Sequence, residues 1–249
     1  MNDLLVACEN GYEEIALEIL ENWEECNLGK INKNGNTALM IACNNKLKKV
    51  ALKMLEHWEE CNIGQINEHG NTALIIACGC NLKKIALKIL EHWEECNIGN
   101  FNNNGYNALM TACDECKYDS YLHQERNGNV ALKILEHRED CDIGKNTTIF
   151  NVTQLMYACG DCIPQKIAMK MLENPKECNI GNIDTFGNTA LIIACKNQKQ
   201  DVAMKLLKYW EEFNIEHSDK FGKTALWWAT TNKLKNVESK LLECIEQKK

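Results

Sequence analysis

The chain of 249 residues carries a formal net charge of −7, and 45% of its residues are hydrophobic. This acidic balance disfavours a general binder of nucleic acid or acidic membranes, whose affinity would come from Lys and Arg residues that neutralise phosphates. The sequence also shows no apolar stretch of membrane-spanning length and no basic, apolar leader, so we expect a soluble cytoplasmic protein with no nucleic-acid and no membrane partner.

The predicted elements repeat with a period close to 35 residues. A nine-residue motif at 35–43, Gly-Asn-Thr-Ala-Leu-Met-Ile-Ala-Cys, returns at 70–78 and at 187–195 with its Met replaced by Ile. The cysteine that ends the motif belongs to a column that Thr230 completes. Its members are Cys8, Cys43, Cys78, Cys113, Cys159 and Cys195. Fixed self-similarity of this length indicates an array in which each unit packs on its neighbours.

We predict one array over residues 1–249 with about seven units. The approximate units are 1–31, 32–66, 67–101, 102–146, 147–183, 184–217 and 218–249. The unit at 102–146, the third full repeat, contains an insertion at 114–129. The insertion is inferred because the step from Cys113 to Cys159 is 46 residues instead of 35.

Each unit is predicted to be a helical hairpin, as the unit at 67–101 illustrates. Gly70 can adopt a positive φ in a turn, and Thr72 can cap a short helix that follows it. After a break, a longer antiparallel helix begins near Leu82, with apolar residues at helical spacing on one side. We expect Trp93 and the two glutamates after it to lengthen this second helix.

The residues of this unit resemble the ankyrin repeat. The matching residues are Gly70, Thr72, Leu74, Ala77, Leu82, Ile85, Leu87 and Leu90. The unit departs from the family pattern at Ala73, where the family has Pro, and at Ile75, where it has His. The resemblance covers essentially the whole chain and implies an all-α ankyrin-repeat solenoid of about seven helix-turn-helix units. The Asn- and Cys-rich array is similar in style to ankyrin proteins of large DNA viruses of protists, and a viral protein would act in the host cytoplasm.

The sequence offers little for catalysis or metal binding. It contains no phosphate loop, no zinc-hydrolase motif and no paired nucleophile and base, so we expect no enzyme activity. Two Cys-x-x-Cys pairs have the spacing of a zinc site, but their first members, Cys113 and Cys159, already belong to the repeat column. We therefore predict no metal and no cofactor. A zinc- or redox-responsive protein that uses Cys80, Cys116 and Cys162 is the alternative.

A second cysteine column and a row of histidines accompany the predicted second helices. The second column consists of Cys26, Cys61, Cys96, Cys141 and Cys178. Because equivalent cysteines lie about one stack spacing apart, beyond bonding distance, we expect reduced thiols rather than disulfides. The histidines at the same end of the helices, His57, His92 and His137, lie beside glutamates, so we expect solvated surface residues; a pH-sensitive stack is the alternative.

Paired glutamates close the predicted second helices and form an acidic ridge along the array. The ridge consists of Glu24, Glu25, Glu59, Glu60, Glu94 and Glu95. We favour a role in solubility and in pairing between units, because exposed rows of charge usually add little affinity. Attraction of a basic partner is the alternative.

Partner-binding residues are expected where equivalent positions differ between units. The residue before the turn glycine changes from Asn or His in the first units to Phe150, Phe186 and Phe221, and the first helices gain Tyr157 and Trp228. Aromatic side chains on a polar rim are the usual anchors of protein interfaces. The alternative is that the phenylalanines pack turn against turn.

The insertion supplies the remaining candidates, which are Tyr118, Tyr121 and Arg126. A loop that interrupts a regular stack is typical of a functional element, and neutral drift in a tolerated loop is the competing explanation. We predict a monomeric, non-catalytic scaffold that binds a partner protein through its concave face and this insertion. A substrate adaptor for a ubiquitin ligase is an alternative, although no C-terminal box is visible after Glu243.

Overall fold

The computed structural model describes residues 3–114, 128–147, 150–161 and 163–248. The α-helices within these ranges are α1 (Leu4–Glu9), α2 (Glu13–Leu20), α3 (Ala38–Asn44), α4 (Lys48–Met54), α5 (Ala73–Gly79), α6 (Lys83–Ile89), α7 (Ala108–Asp114), α8 (Gly128–Ile134), α9 (Gln154–Ala158), α10 (Gln165–Met171), α11 (Ala190–Lys196), α12 (Gln200–Leu206), α13 (Ala225–Thr231) and α14 (Lys235–Gln247). They form consecutive pairs, which confirms the predicted helical hairpins. No described helix combines the length and the apolar composition that crossing a bilayer requires.

The described residues divide into two compact units. Unit 1 comprises residues 3–114 with Asn129–Cys141 and contains α1 to α8, and unit 2 comprises the described part of 142–248 and contains α9 to α14. In unit 1 the first helices of successive hairpins, α1, α3, α5 and α7, pack on one another, and so do the second helices α2, α4 and α6. In unit 2 α9, α11 and α13 pack in the same way, as do α10, α12 and α14. Each unit is therefore a stack of hairpins.

Side-chain caps begin the first helices of both units. The threonines whose hydroxyl oxygens accept an N–H bond from the residue three positions later are Thr37, Thr72, Thr153, Thr189 and Thr224, at 3.1–3.3 Å. In α7 the side chain of Asn107 takes this role and accepts from the backbone of Met110 at 2.9 Å. Each cap satisfies an amide that has no partner within the first turn, and the predicted role of Thr72 is confirmed.

The second helices of the hairpins at 32–66 and 67–101 are shorter than predicted. α5 and α6 each span seven residues, and α6 continues only as the 3-10 segment Leu90–His92. In the preceding hairpin the 3-10 segment Leu55–Cys61 follows α4, and His57 leaves the helical conformation (φ −123°, ψ 47°). The predicted longer α-helix is therefore wrong for these two hairpins, whereas α2, α10 and α14 are longer than the first helices of their own hairpins. The thiol of Cys61 donates to the carbonyl oxygens of Met54 (3.1 Å) and His57 (3.3 Å), where the α-helical hydrogen bonding stops.

Left-handed residues occur in the turn before each first helix from α3 onward. Gly70 has φ 76°, as predicted, and Gly187 has φ 79° in unit 2. The turn before α9 lacks a glycine, and Asn151 adopts the left-handed conformation there with φ 53°. Asparagine tolerates this region better than most residues, and its Nδ2 donates to the carbonyl of Ile183 at 2.7 Å. The hairpin thus keeps its turn without glycine.

Candidate functional site

Three phenylalanines lie at the turn tips of unit 2. Phe150, Phe186 and Phe221 are 40%, 52% and 80% exposed. The backbone N–H of Phe186 donates to the Oδ1 of Asp184 at 2.8 Å, and that of Phe221 donates to the Oδ1 of Asp219 at 2.9 Å. Side-chain bonds of this kind fix the local backbone, so ordered loops present the exposed rings of Phe186 and Phe221.

Stacking between turns accounts for only part of this column. The rings of Phe150 and Phe186 are stacked, with centroids 6.0 Å apart and planes inclined by 21°. The backbone N–H of Thr185 donates to the carbonyl of Phe150, and that of Lys220 donates to the carbonyl of Phe186, each at 3.0 Å. Within the described residues the ring of Phe221 stacks on no other aromatic ring. Packing of turn against turn therefore does not explain why an exposed phenylalanine stands at position 221.

Two adjacent tryptophans lie on α13, the helix that follows the turn of Phe221. Trp227 is 39% exposed, and its ring meets that of Trp228 edge-on at a centroid distance of 4.8 Å. The Nζ of Lys223 lies 4.0 Å from the Trp227 centroid, and the Nζ of Lys196 lies 5.3 Å from the Trp228 centroid. These are cation–π distances. The buried Nε1 of Trp228 has no hydrogen-bond acceptor among the described residues.

Sequence reasoning missed Trp227. The hydrophobic pattern predicts burial at its position, where Ile75 and Ile192 are indeed buried in the earlier hairpins. The signal that could have found it is the change from an aliphatic residue to a much larger aromatic one that also has a polar N–H.

The remaining predicted contact residues are Tyr157, Trp228 and the three residues of the insertion. Tyr157, on α9, is only 8% exposed, so it offers little surface to a partner and the expectation of an accessible aromatic there needs correction. Tyr118, Tyr121 and Arg126 lie outside the described residues. Trp228 is half-buried on α13.

The turns of unit 1 are polar at the same positions. The tip residues are Asn34, His69 and Asn104. Behind the tips an amide ladder joins successive hairpins: Asn67 Nδ2 donates to Asn36 Oδ1 at 2.8 Å, and Asn102 Nδ2 donates to Asn71 Oδ1 at 3.0 Å. The side-chain amides of this part of unit 1 therefore serve contacts between its own repeats.

Unit 1 also contains a Trp–His ladder near the ends of its second helices. The stacked pairs are Trp23–His57, Trp58–His92 and Trp93–His137, with ring centroids 3.9, 3.8 and 4.3 Å apart. The prediction of solvated histidines is wrong, because each imidazole lies half-buried against the indole of the preceding hairpin. The non-helical backbone of His57 and of His137 (φ −110°, ψ 40°) occurs where these rings stack.

The glutamates of the acidic ridge are all exposed, and Glu139 and Asp140 continue the row in the next hairpin of unit 1. None of them forms an ion pair with another described residue. Their backbone packs closely on the loop of the preceding hairpin. A Cβ atom added at Gly64 would collide with the carbonyl oxygen of Glu95, and one added at Gly99 would collide with that of Asp140.

The thiols of the two columns are reduced and nearly all buried within the described residues. Burial is the main reason that the pKa of Cys61 and that of Cys159 are raised to about 12, and a protonated thiol is a poor nucleophile and metal ligand. The described residues contain no group of three or more His, Cys, Asp or Glu side chains placed to hold a metal ion. Cys80 is half-buried among them, whereas Cys116 and Cys162 fall outside the described ranges.

Comparison with known proteins agrees with this geometry. The family model described as ankyrin repeats (3 copies) matches residues 4–99 and 155–249. None of the curated proteins matches the sequence.

Solved structures resemble the chain at low sequence identity. The human ASB11 ankyrin repeat domain superposes with a TM-score of 0.60 at 18% identity, over 96% of both chains. The ankyrin repeat domain of Bcl-3, a member of the IkappaB protein family, gives 0.59 at 17% identity, also over 96% of both chains. A chain from the complex of the predatory endopeptidase Bd0816 of Bdellovibrio bacteriovorus with immunity protein Bd3460 gives 0.58 at 20% identity, over 86% of this chain and 99% of that chain. These likenesses confirm the predicted all-α solenoid fold.

Proposed function

Because the chain belongs to the ankyrin repeat family, we propose that it is a non-catalytic scaffold that binds a partner protein. Repeat arrays bind through the surface that their successive units share. The proposed surface, called the aromatic face, consists of Phe150, Phe186, Phe221, Trp227 and Trp228. The observation that carries the proposal is the exposure of large aromatic side chains at turn tips of unit 2, where unit 1 has polar residues.

Exposed aromatic rings on ordered loops are suited to binding. A phenyl ring buries a large apolar area on association and has few rotatable bonds, so that it gains contact energy at little cost in conformational entropy. The hydrogen bonds of Asp184 and Asp219 hold the tips that bear Phe186 and Phe221. A surface that is ordered before binding avoids much of the entropy loss that a flexible loop would incur.

We propose that further contacts come from the insertion, through Tyr118, Tyr121 and Arg126, and that the face made by turns and first helices is the concave one. We also propose that the protein acts as a monomer in the cytoplasm. The reduced thiols of the described residues support a reducing compartment.

Affinity capture of the tagged full chain from its native cell tests the proposal. In the variant with Phe186→Ala and Phe221→Ala, the captured amount of a specific partner is expected to fall at least tenfold by quantitative mass spectrometry. The circular dichroism spectrum of this variant should remain that of the wild type. The matched control removes two exposed apolar side chains of unit 1, with Tyr12→Ala and Ile15→Ala, and should keep the partner.

Retention of every partner by the phenylalanine variant would overturn the aromatic face as the binding surface. A separate variant that lacks residues 116–127 reports on the insertion alone. Loss of the partner in that variant only would assign binding to the insertion.

A further inference from the structure

Lysine side chains accompany the aromatic face. The ammonium groups of Lys196 and Lys223 lie over the rings of Trp228 and Trp227, and Lys220 is exposed in the last turn. A lysine that covers an aromatic ring still has N–H donors for a further acceptor. The aromatic face is therefore both apolar and positively charged, in a chain whose net charge is −7.

Nearby carboxylates do not pair with these lysines. Asp184 and Asp219 are buried, and each Oδ1 accepts two backbone N–H bonds within its own turn. No ion pair joins Lys196, Lys220 or Lys223 to an acidic side chain of the described residues. The ammonium groups of these lysines are therefore available to the carboxylates of a partner.

The combination of lysine and aromatic residues is a property of unit 2. Lys223 stands where the second and third hairpins have Asn36 and Asn71, and the amides of those residues belong to the ladder of unit 1. Trp228 stands where the same hairpins have Ile41 and Ile76.

We propose that the aromatic face binds an acidic peptide segment of the partner, in which Asp or Glu residues are interspersed with aromatic or large aliphatic residues. This inference rests on the proposed function and specifies the chemistry of the partner. Apolar side chains of the segment would cover the rings of Phe221 and Trp227, and its carboxylates would accept hydrogen bonds from Lys220 and Lys223. Buried apolar anchors supply most of the affinity of such an interface, whereas complementary charge supplies specificity and association rate.

Charge argues for an acidic peptide rather than a nucleic acid. Binding of nucleic acid depends on many phosphate contacts, and this surface offers only three lysines on a chain with an excess of acidic residues. An acidic peptide needs fewer ionic contacts, because its apolar side chains also contribute.

Selection of a random 12-residue peptide library, displayed on its own mRNA, on the full chain tests the inference. Peptides that bind are expected to be enriched at least twofold in acidic residues and in Phe, Trp or Leu over the input library. Their fluorescent synthetic copies should bind at least tenfold more weakly to the variant with Lys196→Gln, Lys220→Gln and Lys223→Gln. The control with Lys48→Gln, Lys49→Gln and Lys84→Gln neutralises three lysines of unit 1 and should bind like the wild type.

Folding of the triple variant is checked by circular dichroism, and Lys220→Gln alone, at an exposed site, gives a second reading with an expected loss of about twofold to threefold. One outcome would overturn this inference and leave the proposed function intact: the selected peptides require Phe186 and Phe221, but they are not acidic and they bind the lysine variants normally. Peptides that bind the Phe186→Ala and Phe221→Ala variant as well as the wild type would overturn both. A selection without enriched binders, or a 12-residue oligothymidylate that binds more tightly than the best peptide, would also overturn the inference.

Discussion

Units 1 and 2 are built from the same hairpin but place different side chains at its variable positions. In unit 1 the turns end in Asn34, His69 and Asn104, and the amide ladder behind them joins successive repeats. In unit 2 the turns end in phenylalanines, of which Phe221 is 80% exposed. Polar residues in unit 1 thus serve the stack itself, whereas the equivalent residues of unit 2 extend from it.

The two units also differ near the ends of their second helices. In unit 1 a tryptophan stacks on a histidine of the next hairpin. Because Gly64 and Gly99 have no side chain, the backbone of the next hairpin approaches closely there. In unit 2 the equivalent loops differ from each other: a Cβ atom at Gly144 would lie 2.7 Å from the carbonyl oxygen of Glu177, whereas one at Gly181 would lie 3.4 Å from that of Glu212, which is an ordinary contact. The absence of Trp–His stacking among the described residues of unit 2 and the exposed phenylalanines are the basis of our proposal that unit 2 carries the recognition surface.

The largest expected difference between the units is their response to alkaline pH. Burial raises the pKa of six thiols to about 12. They are Cys8, Cys61, Cys96 and Cys141 in unit 1 and Cys159 and Cys195 in unit 2. Between about pH 9 and 12 the unfolded chain loses thiol protons that the folded chain keeps, so the free energy of unfolding falls as the pH rises above 9. With a thiol pKa of 9.0 in the unfolded chain, each of these thiols costs about 1.4 kcal/mol at pH 10. Burial also raises the pKa of Cys43 in unit 1, so that unit 1 is expected to lose about 4 kcal/mol more than unit 2.

Pulsed alkylation with iodoacetamide between pH 8 and pH 10, read by mass spectrometry, measures this difference. Labelling is normalised to the same cysteines in the urea-unfolded chain, which removes the direct effect of pH on thiolate chemistry. We expect the cysteines of unit 1 to be labelled at a lower pH than Cys159 and Cys195. Protection in unit 1 that persists to pH 10 while unit 2 is labelled would contradict the comparison.

The loop glycines provide the next largest effect. Gly64→Ala forces a methyl group into the carbonyl oxygen of Glu95, and we expect a loss of about 3 kcal/mol in the free energy of unfolding. Gly181→Ala, at the equivalent place in unit 2, meets no such obstacle and should change stability by less than about 0.5 kcal/mol. Urea unfolding followed by circular dichroism measures both. Equal stabilities for the two variants would contradict the difference in packing between the Gly64 and Gly181 loops.

The Trp–His ladder provides a smaller effect. A double-mutant cycle with Trp58→Ala and His92→Ala should give a coupling energy of about 1 kcal/mol, because the two rings stack. The matched cycle combines Trp23→Ala with His92→Ala, whose rings are not stacked on each other, and should give less than about 0.5 kcal/mol. Equal coupling energies in the two cycles would show that stacking of Trp58 on His92 does not stabilise unit 1.

Residues that act locally were predictable from the sequence. Thr72 caps its own helix and Gly70 turns its own loop, so one repeat is enough to assign both roles. The burial of the cysteine columns follows from their helical spacing and their repetition. These features specify the hairpin and its stacking, and the family model and the solved structures agree with them.

Features that depend on neighbouring repeats were not predictable in the same way. Trp58 and His92 belong to different hairpins, and the kinked 3-10 segments near these rings are not evident from helical spacing. Tyr157 and Trp228 occupy equivalent positions, yet the first is buried and the second is half-buried. Residue type indicates a candidate contact, whereas exposure depends on what packs around it.

Exchange of the tip residues between the units tests the central claim most directly. In one full-length variant the tips of unit 2 receive residues of unit 1, with Phe186→His and Phe221→Asn, and in the other Asn34→Phe and His69→Phe alter unit 1. The measurement is the Kd of the tightest selected peptide by fluorescence anisotropy. We predict a loss of about 30-fold, or about 2 kcal/mol, in the first variant and a change below twofold in the second. Wild-type affinity in the first variant, or an equal loss in both, would contradict the assignment of recognition to unit 2.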